Sequence, residues 1–333
     1  MEAPDSPRQE NVAQLDRYGF IVNTDASGPV RLPTRQAIEK EHSRVVKWTW
    51  MLRPSNWCTF HHTPKFRQRV RKGIPEQFRG AVWQKLLQST VLYQHHELGN
   101  KSSYDALLTK TNEEARSTIA RDIERTFPSH AMFRASEGRA GEAVGRDALE
   151  RNLNAFACYK PEVGYCQGMG FISGVLLMYM SEKEAFWALR QIVIDRMPGI
   201  FDAGFPKLQV RFKQWNKLLS KREPAIFKAL ARHSIDASFY TTQWFMTLFI
   251  YAAPFEVAVR IFDCFCCEGV IIVFRVGLAY MRSLKKSILK APFEEVMMTI
   301  QHVPLTLEIF EAALELKLKA EEYALPESEN WGR

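Results

Sequence analysis

Two short strings of the sequence place polar side chains where helical packing alone does not require them. In the first, Asp122 and Arg125 lie three residues apart and would share one face of a helix. An aspartate at that spacing can hold the guanidinium in one orientation, and Pro128 ends the helix just beyond. The spacing predicts an arginine presented from a helix terminus, where its fork of N–H donors could meet an anionic group.

The second string is the run from Tyr165 to Gln167, which sets a polar amide between Gly164 and Gly168 at a junction of two segments. Each string also has an ordinary explanation. Asp122 and Arg125 could form a surface ion pair, and Gln167 could cap a helix. The residues alone leave these alternatives open.

Other candidate sites are weaker. The six cysteines lack the second ligand pair that a zinc site needs, so we interpret them as structural; they are Cys58, Cys158, Cys166, Cys264, Cys266 and Cys267. The glycines at 168, 170 and 174 lack the spacing of a dinucleotide loop and predict close helix packing instead. There is no phosphate-binding GxxxxGK[ST] run and no GxSxG elbow.

A basic run spans residues 65–72 (KFRQRVRK). Such a run is usually a solvated face, although it could also touch a phosphate backbone or an acidic lipid surface. Because no nucleic-acid-reading motif accompanies it, we expect no nucleic-acid partner.

Helical periodicity dominates from about residue 65. Apolar residues four apart at 115, 119, 123 and 127 form one stripe. Capping-box patterns at 111–114 and 181–184 open helices, and the residues from Arg79 to Leu87 and from 270 to 281 are also predicted helical. A short helix is expected around 35–51. No series of strands with hairpin turns is visible, so we predict an all-α fold with its helices divided between two lobes.

Composition excludes several classes of protein. Hydrophobic residues are 46% and charged residues 25% of 333, enough apolar surface to exclude bulk disorder. The net charge of +8 suits an anionic partner without selecting one. The chain opens without a charged-then-apolar leader, and the apolar stretch 168–180 is shorter than the roughly 20 residues of a bilayer span. We therefore expect a soluble, cytoplasmic protein with reduced thiols, whose membrane contact, if any, is peripheral.

Taken together, the two strings and their surroundings resemble the TBC domain, the family of GTPase-activating proteins for Rab small GTPases. Ile119, Asp122 and Arg125 fill its IxxDxxR motif, and Tyr165 and Gln167 fill its YxQ motif. Further similarities are the opening RKGIP at 71–75 with Arg79 and Trp83, the pairs Phe186-Trp187 and Gln243-Trp244-Phe245, and the stretch RIFD at 260–263. In that stretch Phe262 stands where the family commonly has a tryptophan.

The resemblance implies a function and roles for these residues. The family inserts an arginine and a glutamine into the GTPase, which would be Arg125 and Gln167 here. By the same resemblance Asp122 orients Arg125, Tyr165 packs beside the glutamine, and Arg79 supports the site from the first helix. The implied partner is a Rab GTPase in its GTP-bound form, in vesicle trafficking. The chain would need no cofactor of its own, because GTP and Mg²⁺ come with the GTPase.

The predicted organisation has three parts: an irregular lead-in (1–64), a TBC domain (65–322, with lobes 65–205 and 206–322) and a C-terminal tail (323–333). Two other functions are considered. A non-catalytic Rab-binding adaptor could use the same groove but need not retain both Arg125 and Gln167. A basic helical nucleic-acid binder would require a reading motif that is missing.

Overall fold

The computed structural model describes residues 14–22, 34–97, 103–134 and 144–324, and helices dominate these ranges. In chain order they are α1 (Arg35–Leu52), α2 (Pro54–Phe60), α3 (Pro64–Arg71), α4 (Arg79–Leu87), α5 (Ser89–Glu97), α6 (Tyr104–Leu108), α7 (Glu113–Arg125), α8 (Val144–Tyr159), α9 (Met169–Tyr179), α10 (Glu182–Arg190), α11 (Pro206–Arg222), α12 (Pro224–Arg232), α13 (Ser238–Thr247), α14 (Phe255–Glu268), α15 (Ile271–Ser283), α16 (Lys285–Lys290), α17 (Phe293–His302) and α18 (Leu307–Leu314). Within the described ranges, β structure is limited to isolated bridges, Leu15 with Ile21 and Phe20 with His130. The all-α prediction is confirmed.

Several local predictions match the structure closely. Helix α4 has the predicted bounds, α1 covers the helix expected around 35–51, and the β-branched segment after residue 270 is the helix α15. The capping box at Ser181 and Glu184 is present. The one predicted at 111–114 is wrong, because Asn112 is the N-cap of α7 and its side chain accepts a hydrogen bond from the Ala115 amide.

The predicted lead-in is more regular than expected. Residues 14–22 form a compact turn, and α1 and α2 follow before residue 64. Pro54 and Pro64 are the first residues of α2 and α3, a position where the missing amide costs nothing. Residues 135–143 and most of the predicted tail lie outside the described residues. No helix of the described residues is both long and apolar enough to cross a membrane.

The helices share one continuous hydrophobic core. In the N-terminal half α7, α8, α9 and α10 pack successively, and in the C-terminal half α14 packs on α15 and α15 on α18. The halves are joined where α14 packs against α3 and α4, and where α9 packs against α13. The loop that carries Gln167 leads into α9, so it lies beside both α7 and the C-terminal half.

A buried carboxylate also joins the two halves. Asp263 on α14 is fully buried and accepts hydrogen bonds from Trp83 Nε1 (2.8 Å), the Ile74 amide (3.1 Å) and Arg79 Nε (3.3 Å). Gly73, the residue before Ile74, has φ +95°, and a Cβ added to it would lie 2.9 Å from Arg260 Nε. The RKGIP…R…W and RIFD motifs therefore meet in one structural network, since a buried carboxylate requires such partners.

Candidate functional site

Helix α7 presents Arg125 at its last turn. The side chains of Ala115, Ile119 and Ile123 are buried as the predicted stripe. Asp122 lies at the edge of that stripe with a side chain 1% exposed, whereas the Arg125 side chain is 46% exposed. The helix therefore holds the carboxylate inside the protein and directs the guanidinium towards the surface.

The Asp122 carboxylate organises the site. One oxygen accepts a hydrogen bond from Arg125 Nε and forms the ion pair with the same guanidinium. The other oxygen accepts from the Tyr165 hydroxyl and from the backbone N–H of Gly168 at 3.1 Å. A buried charge is tolerated when it is paired and hydrogen-bonded in this way. Asp122 thus ties the two sequence strings together.

Gln167 lies on the exposed side of the loop between α8 and α9. With its amide oxygen facing the guanidinium, the orientation that satisfies both groups, it accepts from Arg125 Nη1 at 2.8 Å and from Nη2 at 2.5 Å. Gly168 then turns the chain into α9 with φ +105°, a conformation that L side chains rarely adopt. The arginine and glutamine predicted from sequence are therefore in direct contact on one surface.

Two further glycines let α9 approach the end of α7. A Cβ on Gly170 would lie 3.0 Å from Thr126 Oγ1 and 3.3 Å from Asp122 Oδ2. A Cβ on Gly174 would lie 3.0 Å from the Phe127 ring. The interpretation of the glycine run as close helix packing agrees with this geometry.

Burial sets the protonation of the neighbouring groups. Burial and the adjacent Asp122 charge raise the pKa of the Tyr165 phenol above its ordinary value, so the hydroxyl stays protonated and remains a donor. The same two causes raise the pKa of Cys166 to about 12. The Cys166 thiol is therefore protonated at neutral pH and unsuited to act as a nucleophile.

Arg79 does not join this cluster. Its side chain is 2% exposed and contacts Asp263, the Tyr179 hydroxyl (3.2 Å) and Glu76. Burial alone would lower the pKa of this guanidinium, but those partners together raise it. The residue predicted to support the site thus belongs to the network between α4 and α14.

The basic run is partly anchored in the fold and partly exposed, and the cysteines carry no bond to one another. In the basic run, Arg71 forms an ion pair with Glu268 at 2.7 Å, while Lys65, Arg67 and Lys72 are exposed. The six cysteines are unpaired. Within the described ranges, no group of histidine, cysteine and carboxylate side chains could hold a metal ion.

Comparison with known proteins places the chain in a family. The Rab-GTPase-TBC domain model matches residues 76–289, more than half of the chain and all of the site just described. The chain belongs to the Rab-GTPase-TBC domain family. Of the motifs that suggested this family from sequence, IxxDxxR and YxQ meet around Asp122, and RKGIP…R…W and RIFD meet around Asp263.

Relatives within the family share most of the chain. Mouse TBC1 domain family member 10A is 36% identical over 272 residues, which are 81% of this chain and 52% of that protein. Mouse TBC1 domain family member 10B is 34% identical over 280 residues, 83% of this chain and 34% of that protein. The chain thus spans about half or less of the length of these relatives.

A solved TBC domain has the same fold. The crystal structure of the Chlamydomonas flagellar RabGAP TBC domain matches with a TM-score of 0.67 at 23% identity, covering 91% of this chain and all of that one. At this identity the match concerns the fold.

Three contributors to this cluster were not predicted from the sequence. The Gly168 amide binds Asp122, and Thr126 Oγ1 donates to the Asp122 carbonyl at 2.7 Å. Phe127 takes a left-handed conformation, φ +49°, directly after the helix. The glycine after Gln167 was a readable signal for the first. Residue 127 was predicted only as a member of the apolar stripe, which indicates burial but not a left-handed backbone.

Proposed function

We propose that this TBC-domain chain accelerates GTP hydrolysis by a Rab small GTPase, supplying Arg125 and Gln167 to the GTPase in trans. The observation that carries the proposal is the contact of these two side chains on an exposed surface, with Arg125 anchored by the buried Asp122.

The chemistry of GTP hydrolysis explains why such a pair is useful. Transfer of the γ-phosphoryl group to water spreads negative charge over the transferring oxygens, and catalysis is mostly positioning and electrostatic stabilisation. A guanidinium inserted by a partner is worth roughly 10³ to 10⁵ in rate, or about 4 to 7 kcal/mol. Arg125 is proposed to supply this charge, and the Gln167 amide to orient the attacking water.

Asp122 prepares the arginine for this role. It binds the Nε–Nη2 edge of the guanidinium, and the Nη1–Nη2 edge faces Gln167, which now accepts from both Nη groups. A docked GTPase would replace the Gln167 oxygen with phosphate oxygens and free the amide to bind water. Because Arg125 is already held in place, little side-chain entropy is lost on insertion.

The proposal assigns the remaining components to the partner. GTP and Mg²⁺ are carried by the Rab protein, and the chain acts on its GTP-bound form in membrane trafficking. The similar Chlamydomonas domain is a flagellar RabGAP, which supports the choice of GTPase family.

The test is a single-turnover phosphate-release assay on a panel of GTP-loaded Rab proteins. We expect wild type to accelerate at least one of them, and Arg125→Ala and Gln167→Ala to lose at least about tenfold of that acceleration, about 1.4 kcal/mol. Arg121→Ala is the matched control for the arginine, since Arg121 is exposed one turn earlier on α7 and bonds its own helix. Gln209→Ala, an exposed glutamine on α11, is the control for Gln167.

Two results would contradict the proposal. Full activity of both site variants across the panel would exclude the assigned residues. Wild-type binding to a GTP-loaded Rab without faster hydrolysis would indicate the adaptor function instead.

A peripheral membrane contact through α3 is a further part of the proposal. Lys65, Arg67 and Lys72 remain exposed there, while Phe66 and Val70 anchor the helix in the core. Reversing Lys65 and Arg67 to glutamate should lower binding to vesicles containing anionic lipid at low salt and leave hydrolysis in solution unchanged. Equal vesicle binding by the variant would exclude this contact.

A further inference from the structure

Residues 14–22 form a folded segment that lies outside the part of the chain matched by the family model. We refer to these residues as the clasp. The Asp16 carboxylate accepts hydrogen bonds from the backbone amides of Tyr18 (2.8 Å) and Phe20 (2.9 Å), and the Val22 amide donates to the Gln14 carbonyl (2.8 Å). The clasp therefore has its own internal structure, which presents Tyr18 and Phe20 towards the domain.

The clasp docks on the turn that follows Arg125. The Ile21 amide donates to the Ser129 carbonyl and the Ala131 amide to the Gly19 carbonyl, both at 2.9 Å. His130 Nε2 lies 2.9 Å from the Tyr18 carbonyl. Gly19 has φ +93°, and a Cβ there would lie 2.8 Å from His130 Nε2, so the close approach requires glycine.

Phe20 packs where the turn is strained. Its ring centroid lies 4.9 Å from those of Phe255 and His130 and 6.0 Å from that of Phe127. Phe127 has φ +49°, a conformation that costs an L residue roughly 1 to 2 kcal/mol and persists only where packing enforces it. Phe171, at 5.6 Å, supports the Phe127 ring from α9.

The strained residue lies two positions after Arg125. Helix α7 ends at Arg125 because Thr126 is already extended and Phe127 left-handed. Thr126 keeps the end of the helix closed: its amide donates to the Ile123 carbonyl (3.1 Å) and its hydroxyl to the Asp122 carbonyl. Thr126 thus connects the last helical turn, which carries Arg125, directly to Phe127, whose ring Phe20 contacts.

We infer that the clasp, through Phe20 and its contact with Phe127, positions Arg125 for the proposed reaction. Phe20 is a positioning residue and touches neither nucleotide nor GTPase in this role. The inference rests on the proposed function, since it concerns the rate that Arg125 confers.

The test compares the wild-type 333-residue chain with Phe20→Ala, Phe20→Leu and Phe60→Ala. Phe60 is the matched control: it is also half-buried, and its ring contacts Trp50 (5.7 Å) and Phe66 (6.2 Å) on α1 and α3. Single-turnover hydrolysis by a responsive Rab is measured over a range of TBC-protein concentrations, which separates the maximal rate from the half-saturating concentration. Hydrogen exchange of the Thr126 and Ala131 amides is measured in the same samples.

We expect Phe20→Ala to lower the maximal rate about tenfold with the half-saturating concentration nearly unchanged, because small misplacements of a catalytic group cost up to about 10²-fold. Phe20→Leu, which keeps an apolar side chain against Phe127, should recover most of the rate. Exchange should increase at Thr126 as well as at Ala131, which the clasp contacts directly. Phe60→Ala should lose stability without this drop in maximal rate.

Other outcomes would overturn the inference. If Phe20→Ala speeds exchange at Ala131 alone and keeps the maximal rate, the clasp binds the domain without positioning Arg125. If Phe60→Ala lowers the maximal rate as much as Phe20→Ala, the effect is general destabilisation. If wild type accelerates hydrolysis by none of the Rab proteins tested, the proposed function itself is refuted. That failure is distinguishable from failure of the inference, in which wild type is active and the Phe20 variants keep its maximal rate.

Discussion

The buried carboxylate of Asp122 accepts a hydrogen bond from the backbone N–H of Gly168 at a distance of 3.1 Å. This bond joins the end of α7 to the start of α9, and it fixes the loop carrying Gln167 relative to the helix carrying Arg125. Since the same carboxylate binds Arg125, a single side chain sets the separation of the two proposed catalytic groups.

Lysine should not replace the proposed catalytic arginine. An ammonium has no planar fork, so Arg125→Lys cannot bind Asp122 on one edge and offer donors to phosphate on the other. We expect the maximal stimulated rate to fall at least about tenfold, about 1.4 kcal/mol, with affinity for the Rab little changed. Single-turnover phosphate release measures this. A lysine variant as fast as wild type would show that positive charge alone suffices.

Glutamate at position 167 should be worse than alanine. Gln167→Glu would place a carboxylate against the Arg125 guanidinium, where Gln167 now accepts at 2.8 Å, and would also repel the γ-phosphate. We expect its stimulated rate to be at least about threefold below that of Gln167→Ala, about 0.7 kcal/mol. The two variants are compared in the same assay, and equal rates would argue against the contact.

Removing the tyrosine hydroxyl should affect both stability and rate. Tyr165→Phe deletes a donor to buried Asp122, which should lower the free energy of unfolding by about 1 to 3 kcal/mol. The maximal rate should also fall a few-fold, because the carboxylate that orients Arg125 is less well fixed. Urea unfolding and phosphate release measure the two effects. Tyr93→Phe, on α5, is the control, and unchanged values for Tyr165→Phe would count against the Asp122 network.

The Asp263 network should matter for stability and not for the reaction. Asp263→Asn removes the fully buried carboxylate that pairs with Arg79 and leaves only the partly exposed Glu76, so we expect a loss of about 3 to 5 kcal/mol in the free energy of unfolding. Glu113→Gln removes an exposed ion pair with Arg116 and should cost about 0 to 1 kcal/mol. The rate per folded molecule should remain that of wild type for both. A large rate defect in folded Asp263→Asn would restore Arg79 to a role in the site.

Docking of the clasp should weaken in mild acid. Burial lowers the pKa of His130 below its ordinary value of 6.5, although the Tyr18 carbonyl and Asp16 act in the opposite direction. Below pH 6.5 the unfolded chain therefore binds a proton that the folded His130 does not. The stabilisation is complete above that pH and is lost as the pH falls towards the lowered pKa.

Hydrogen-exchange protection factors test this pH dependence. The protection factors of the Ile21 and Ala131 amides should decrease as the pH is lowered from about 7.5 to about 5.5, the range in which histidine titrates. His130→Asn should flatten the dependence, and His95→Asn, an exposed residue, should not. Protection that is constant with pH in wild type would contradict the expected titration.

Much of the fold was predictable from local sequence. The four-residue spacing of apolar side chains identified α7, and its Asp122 and Arg125 share the predicted face. Helix α4 was placed at its observed bounds, and the length of the apolar run after residue 270 identified a helix despite its β-branched residues. These features are local, because helix periodicity and termini depend on residues only a few positions apart.

The lead-in and Arg79 show where this reasoning ends. Arg79 belongs to a recognisable motif, but its partner Asp263 is far away in the chain, so only packing reveals that the motif is structural. The clasp was taken as irregular because short turns rich in polar residues carry no periodic signal, yet its docking depends on aromatic contacts with α14 and with the turn after α7.

The candidate site divides in the same way. The residue types at 122, 125, 165 and 167, and the helix end that exposes Arg125, were determined by the sequence itself. Their convergence depended on three-dimensional packing. Glycines at 170 and 174 allow α9 to approach the end of α7 and the turn after it, and one buried carboxylate then binds both segments. Such long-range contacts are set by the shape of the assembled core, which no local spacing encodes.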